Sequence, residues 1–378
     1  MEESTGTQAR NVVKGAELPV VIAGGGPAGA ATAIALSGMG YKSVIVDPGT
    51  PVAVKAGESL PPNILHLLQQ LDIQHLLQDA AHQINLGNTV VWGSDEVLDR
   101  VFLAEPWGNG WHLNRLVFEQ QLKSEAERRG AVWMDGGIVT GVEGKQGAMR
   151  VSVRSDSGRA DQKLDACFVV DASGRHSSVL RSLGVSRHRL DDITAVCAFV
   201  TAPGHRLQST TFVEAVQDGW WYAAPLGGDR VVLNLMTDIG LRPKTGEGKS
   251  DMLLRRLKQT MYLHERLGNF AGMGFEEVFA KPAGTSCADR ISGDGWLAVG
   301  DAACTYDPLS SYGITSAIGG GIYAAYAISD ALSGNSHALD AYNHVQQQTF
   351  NNCVAMLAHQ YRQESRFSEK VFWQRRYL

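Results

Sequence analysis

Three glycines in the stretch "LPVVIAGGGPAGAATAIALSGMGYKSVIVDPG", residues 18 to 49, carry the first chemical signal. In Gly24-Gly25-Gly26-Pro27-Ala28-Gly29, Gly24 permits a tight turn and Gly26 lets backbone approach a pyrophosphate. Gly29 lets a helix pack close to a strand, with free N–H groups at the helix start facing phosphates. A carboxylate follows at about the distance where one binds ribose hydroxyls: Asp47, at the end of "KSVIVD". The chemistry is that of holding a dinucleotide. These residues alone admit NAD or FAD.

The elements that must position them read from pattern. Leu18 to Ala23 is an apolar run of strand length, Ala30 to Gly38 a small-residue helix, and Lys42 to Asp47 a second strand. Far away, the strand Gly295 to Val299 runs into Gly300-Asp301, and a small-residue helix begins after Gly313. A carboxylate at a strand end before a helix N-terminus suits a ribityl hydroxyl, and an acid among small apolar residues needs a partner. Asp171, at the end of "VVD" before Ser173-Gly174-Arg175, reads equally as an ordinary strand end and turn. Arg115 opens the helix "NRLVFEQQLKSEAERRG", where a surface role competes with phosphate contact.

Composition bounds the rest. A chain of 378 residues suits a cofactor domain plus a second lobe, and 44% hydrophobic with 19% charged residues fits a globular protein. The net charge of -5 argues against nucleic acid. Cys167, Cys197, Cys287, Cys304 and Cys353 form no CxxC pair, so reduced core thiols are expected, with no disulfide framework and no metal site. The start "MEESTGTQAR" has no apolar h-region, which makes a cytoplasmic location the expectation. The segment "GITSAIGGGIYAAYAISDAL" contains Asp330 and many small residues, and reads as a buried helix rather than a membrane span.

Four motifs in order, "GGGPAG", "HLNRLVFEQQL" at 112 to 122, "VVDASGRHSSVLRSLG" at 169 to 184 and "GWLAVGDAACTYDPLSSYGI" at 295 to 314, make the chain resemble the FAD-dependent monooxygenase and halogenase superfamily. The resemblance implies FAD as cofactor. Gly24, Gly26, Pro27, Ala28, Gly29 and Asp47 would hold its ADP part, and Arg115 would lie near the pyrophosphate. Asp171 and Asp301 would also contact the cofactor, Asp301 at the ribityl chain. The loop Pro308 to Gly313, with Ile314, would pass the isoalloxazine, and Gly57 to Pro62 would strap across it. Candidates for catalysis are Glu58, Ser311 and Tyr312; Glu58 reads equally as a helix-start charge. His112 reads as a base or, more ordinarily, as a structural histidine.

Departures choose a branch. The WxWxIP signature of halogenases is missing, "AAHQINLGNTVVWG" at 80 to 93 contains Asn85 and Asn88 but not their catalytic lysine, and Tyr312 stands where they carry a small hydroxyl residue before the glycine. With "GESLPPNILHLLQQL" at 57 to 71, "DGWWYAAPLGGDRVVLNLMTD" at 218 to 238 and "DPLSSYGI" at 307 to 314, the chain most resembles LodB and GoxB type flavoproteins that mature cysteine tryptophylquinone oxidases. That resemblance implies oxygenation of a tryptophan in a partner precursor, that of a quinone-cofactor amino-acid or amine oxidase. No second strand-GxGxxG-helix unit is present, so electrons would come from transient NAD(P)H or an external reductant. A hydroxylase or halogenase of a small aromatic, and a flavin-containing chaperone, are the rival readings.

The expected fold is α/β. A Rossmann-like, three-layer FAD-binding domain with a mostly parallel sheet is expected from 16–80, 113–186 and 281–335. A second lobe on a mostly antiparallel sheet is expected from 81–112 and 187–280, and a helical appendage from 336–378. Trp220, Trp221 and Tyr222 are expected as packing or pocket lining. The tail bearing Phe367, Phe372 and Trp373 among Lys370, Arg375 and Arg376 is expected as a lid, a docking surface or a segment folded onto the core.

Overall fold

A computed structural model describes residues 18–49, 55–155, 161–241, 248–268 and 270–376. The reading of residues 1–10, the domain start at 16 and the last two residues of the tail lie outside that range.

The run Val20–Ala23 is wholly buried, as a central parallel strand must be, and sits inside a six-stranded sheet. The order is Ser292–Gly293, Trp296–Ala298, Phe168–Asp171, Val20–Ala23, Ser43–Asp47, Val132–Asp135, with only the first pair antiparallel. Helices Pro27–Gly38, Arg115–Arg128 and Gly313–Leu332 pack together beside this sheet. A three-stranded antiparallel sheet of Gly137–Lys145, Ala148–Ser155 and Gln162–Ala166 makes the third layer. Small residues permit the close helix packing: a Cβ on Gly321 would come within 2.9 Å of the Ala28 carbonyl oxygen. No helix among the described residues is long and apolar enough to cross a membrane.

The second sheet has seven strands, ordered Gly274–Pro282, Ile193–Thr201, Arg230–Asp238, Gly219–Pro225, Thr211–Val216, Gly87–Val91, Leu98–Val101. Only Thr211–Val216 with Gly87–Val91 is parallel. Ile193–Thr201 and Arg230–Asp238 are buried along nearly their whole length, so they read as largely apolar runs. Met252, Leu253, Leu257 and Leu263 of two short helices cover one face, and Tyr361, Phe372 and Trp373 of the C-terminal segment cover the other.

This second cover corrects the lid and docking readings of the tail. Phe372 and Trp373 are fully buried, Trp373 Nε1 donates to the Val216 carbonyl at 2.9 Å, and Arg375 and Arg376 both pair with the buried Asp238. Trp220 and Trp221 are likewise core rather than pocket lining, because successive strand residues point to opposite faces and both faces are covered. Gly57 to Pro62 is not loop throughout: Ser59–Leu60 pairs with Gly110–His112, itself paired with Gln83–Asn85. The expectation of reduced thiols also fails for one pair. Ser286–Ala288 pairs antiparallel with Cys304–Thr305, which sets Cys287 opposite Cys304, and the two are disulfide-bonded.

Candidate functional site

The parallel sheet ends in a cleft of about 1080 Å³, at the upper end of the roughly 300–1,000 Å³ typical of cofactor sites. Gly24, Gly26, Pro27, Asp47 and Arg115 all line it, so the fold brings together residues from three distant segments. Gly24 has φ +103°, and a Cβ there would strike the Ala172 carbonyl oxygen at 2.4 Å. A Cβ on Gly26 meets nothing within 4 Å, because it would point into the space of the cleft itself. Gly26 also caps the helix Pro27–Gly38, whose first turn has no side-chain cap, leaving its N–H groups for a phosphate. Asp47 Oδ1 accepts only a local bond from the Gly49 N–H at 3.2 Å. These residues fit the pyrophosphate and ribose of a dinucleotide.

Ala28 and Gly29 stand behind the wall, where a Cβ on Gly29 would lie 2.0 Å from the Gly24 carbonyl oxygen. Asp171 departs from its expected place as a cofactor contact. It is fully buried, its Oδ1 accepts from the Ser173 N–H and hydroxyl, and its Oδ2 accepts from the Leu180 N–H, so both oxygens are committed to holding the turn. The backbone it holds, Ala172 to Gly174, is what lines the cleft. Asp301 is not buried as its apolar neighbours suggest: its side chain is 38% exposed and lies 3.5 Å from Arg175 Nε. Gly174 and His176 on either side of that arginine line the cleft, so Asp301 sits at its margin.

Arg115 occupies a junction. Its guanidinium donates to the Ala56 and Gly57 carbonyls of the strap at 3.0 Å and to Glu119 at 2.5 Å, while Lys55 holds the other Glu119 oxygen at 2.6 Å. Burial pushes Glu119 up, but Arg115 and Lys55 outweigh it and hold the carboxyl below its ordinary range. Glu119 went unnoticed in the sequence, although its i, i+4 spacing from Arg115 on a helix was a usable signal.

Glu58 stands at the other side of Arg115. It is 1% exposed, neither carboxyl oxygen meets full hydrogen-bond geometry with another described residue, and burial raises its pKa while Lys281, the Gly57 and Glu58 N–H groups and Arg115 pull it back. It lines a second, smaller cavity that shares Lys55 and Arg115 with the cleft. His112 lines it too, and burial pushes its imidazole down to about 4, so it is neutral near pH 7. Behind the strap, the Thr211 hydroxyl gathers Ser59 at 2.8 Å, His112 Nε2 at 3.1 Å and Asn85 at 3.2 Å, and Ser59 meets the Tyr222 hydroxyl at 2.6 Å. Asn85 is therefore tied into the scaffold. Phe199 and Arg230, from the antiparallel sheet, complete the small cavity, and no local sequence signal marks them.

Ser311 and Tyr312 line neither cavity. Ser311 is exposed with φ +51°, and the half-buried Tyr312 packs against Tyr306 with ring centroids 5.3 Å apart, just before the helix that begins at Gly313 with the buried Ile314. Asp307 caps the short turn Pro308–Ser310 by accepting from the Leu309 N–H at 2.9 Å. Its other oxygen accepts from the Tyr361 hydroxyl at 2.6 Å, and that hydroxyl accepts from Trp220 Nε1 at 3.0 Å. The C-terminal helix thereby anchors the loop.

A glycine-turn cleft at the end of a parallel sheet in a three-layer domain, with Phe279 and Lys281 of a broad antiparallel sheet at its edge, defines a dinucleotide-binding protein of two lobes. Residues 17–356 match the FAD binding domain family, to which the chain belongs; its cofactor is FAD, and it is an FAD-dependent oxidoreductase. It is similar to the FAD-dependent oxidoreductase LodB of Marinomonas mediterranea, 26% identical over 94% of this chain and 96% of that one. Among solved structures, the peptidyl tryptophan dihydroxylase QhpG, essential for tryptophylquinone cofactor biogenesis, aligns with TM-score 0.77 at 27% identity over 96% of this chain and 79% of that one. The myxobacterial chondrochloren halogenase CndH shares the fold, with TM-score 0.87 at 23% identity over 96% and 86%.

Proposed function

We propose that this protein is a monooxygenase that oxygenates a tryptophan side chain of a partner precursor protein during biogenesis of a cysteine tryptophylquinone cofactor. The observation that carries the reading is the Glu58 cavity, lined by Leu113, Phe199 and Leu226 as well as charged groups and set against the FAD cleft across Lys55 and Arg115. Similarity along nearly the whole chain to LodB and QhpG supports it. Halogenation also has similarity in sequence and fold behind it, but the lysine it would need between residues 80 and 93 is absent, with Asn85 bonded to Thr211 in that stretch.

In this reading, 16–80, 113–186 and 281–335 form the cofactor-binding part, and 81–112 with 187–280 the part that shapes the substrate site. Gly24, Gly26, Pro27, Asp47, Arg115 and Asp301 hold FAD. When bound and reduced by NAD(P)H or another external donor, FAD supplies the activation of O2. Glu58 and His112 face the substrate, and Phe199, Leu113 and Leu226 supply apolar surface for its ring. The partner is the precursor of an amino-acid or amine oxidase. Co-expression with the protein encoded nearest to this gene tests the reading: a tryptophan peptide should gain oxygen mass only with the active flavoprotein, and an unchanged peptide would refute it.

A further inference from the structure

The smaller cavity measures about 110 Å³, and its chemistry narrows what can fill it. Glu58 presents two buried carboxyl oxygens that no described side chain meets, with only the Gly57 and Glu58 N–H groups beside them, a costly arrangement unless a ligand or water completes it. Lys55, Arg115 and Arg230 stand around it, and Lys281 acts on Glu58 from the cleft side. An ammonium ligand would meet that surrounding positive charge. An anion would face the lone pairs of Glu58, while the cations are already engaged: Lys55 and Arg115 with Glu119, Arg230 with Glu276 at 2.8 Å. A neutral ring with one polar hydrogen meets neither obstacle, and Leu113, Phe199 and Leu226 supply the apolar walls for it.

Resting on the tryptophan reading above, we infer that this cavity receives the N–H edge of the substrate indole and that Glu58 accepts its hydrogen bond. In either protonation state the carboxyl group keeps an accepting oxygen. The cavity is somewhat smaller than the ~150 Å³ apolar cavity that takes up benzene, so it holds the five-membered ring and leaves the six-membered ring outside. Because Lys55 and Arg115 belong to both walls, an indole held this way lies beside the cofactor cleft. Glu58 then selects indole over an N-alkylated or wholly apolar ring.

Two probes test this on the FAD-loaded protein by equilibrium dialysis: 3-methylindole and its N-methylated form, 1,3-dimethylindole. The N–H probe should bind about tenfold or more tightly, the worth of one hydrogen bond left unmade in a buried site. Glu58→Gln, which keeps an accepting oxygen, should retain the preference, and Glu58→Leu should abolish it while still carrying FAD. Equal binding of the probes, no binding of either, or an intact preference in the leucine variant would overturn the inference. The comparison on unaltered holoprotein holds whether or not the leucine variant folds. A tenfold preference without oxygenation of any protein-borne tryptophan would keep this site and remove the substrate reading; oxygenation without the preference would do the reverse.

Discussion

Replacing Tyr361 by Phe should destabilise the protein by an amount that grows with pH. Its hydroxyl links two buried groups, donating to Asp307 Oδ2 at 2.6 Å and accepting from Trp220 Nε1 at 3.0 Å. Burial pushes the Asp307 carboxyl from its ordinary 3.8 up to about 6, although Tyr361 and the Leu309 N–H pull it down. Between those two values the folded chain binds the proton that the unfolded chain has released. Stability from this group is thus fully present below the lower value and is lost as pH rises to the upper one, by about 3 kcal/mol in all. At about pH 4.5 the variant loses a bond to a mostly neutral acid and leaves the Trp220 N–H unpaired, a cost of about 1–2 kcal/mol. At about pH 7.5 the lost bond is to a carboxylate, worth roughly 1 kcal/mol more. Without its donor, Asp307 also titrates higher in the variant, so the extra loss develops near and above pH 6. Urea unfolding of both proteins across this range measures the gap. A gap that stays constant with pH would show that the Tyr361 to Asp307 bond is not what couples the C-terminal helix to the loop.

Other substitutions separate cofactor binding from folding. Gly26→Val should still fold, at a helix-cap cost of up to about 1–2 kcal/mol, since a Cβ there meets nothing within 4 Å, yet purify without flavin absorbance; a yellow variant would contradict the cradle. Asp301→Asn removes an exposed pairing with Arg175, so stability should change by less than about 1 kcal/mol while FAD affinity falls roughly tenfold or more. Equal FAD dissociation constants for the two proteins would remove Asp301 from the site. Trp373→Ala empties a fully buried position and should cost about 3–5 kcal/mol in urea unfolding, whereas a cost under about 1 kcal/mol would revive the view of the tail as a detachable lid.

Local signals carried well where the physics is local. The buried run at Val20–Ala23, the glycine turn and the acid at Asp47 follow one another within a single supersecondary unit, so spacing alone placed them on one cleft. The small-residue helix from Gly313 was legible for the same reason. Asp171 shows the limit: a carboxylate before a turn can bind a ligand or hold the turn, and only the bonds to Ser173 and Leu180 decide between them. Cys287 and Cys304 lie 17 positions apart in sequence, a gap that an antiparallel pairing folds away. Phe199, Arg230 and Lys281 reach the cavities from strands whose neighbours are set by long-range register, which single-sequence pattern does not encode. The double burial of Trp220 and Trp221 depended on what covers each sheet face, including a segment some 150 residues downstream in the chain.

The proposed reaction delivers oxygen from O2, with FAD in this cleft, to a tryptophan of a partner protein. The direct measurement is mass spectrometry of the purified precursor after incubation with the FAD-loaded protein, a reductant and 18O2. The account predicts heavy oxygen on a tryptophan peptide, absent when Gly26→Val replaces the wild-type protein. Unlabelled tryptophan peptides, with the same holoprotein incorporating label into free indoles, would contradict it.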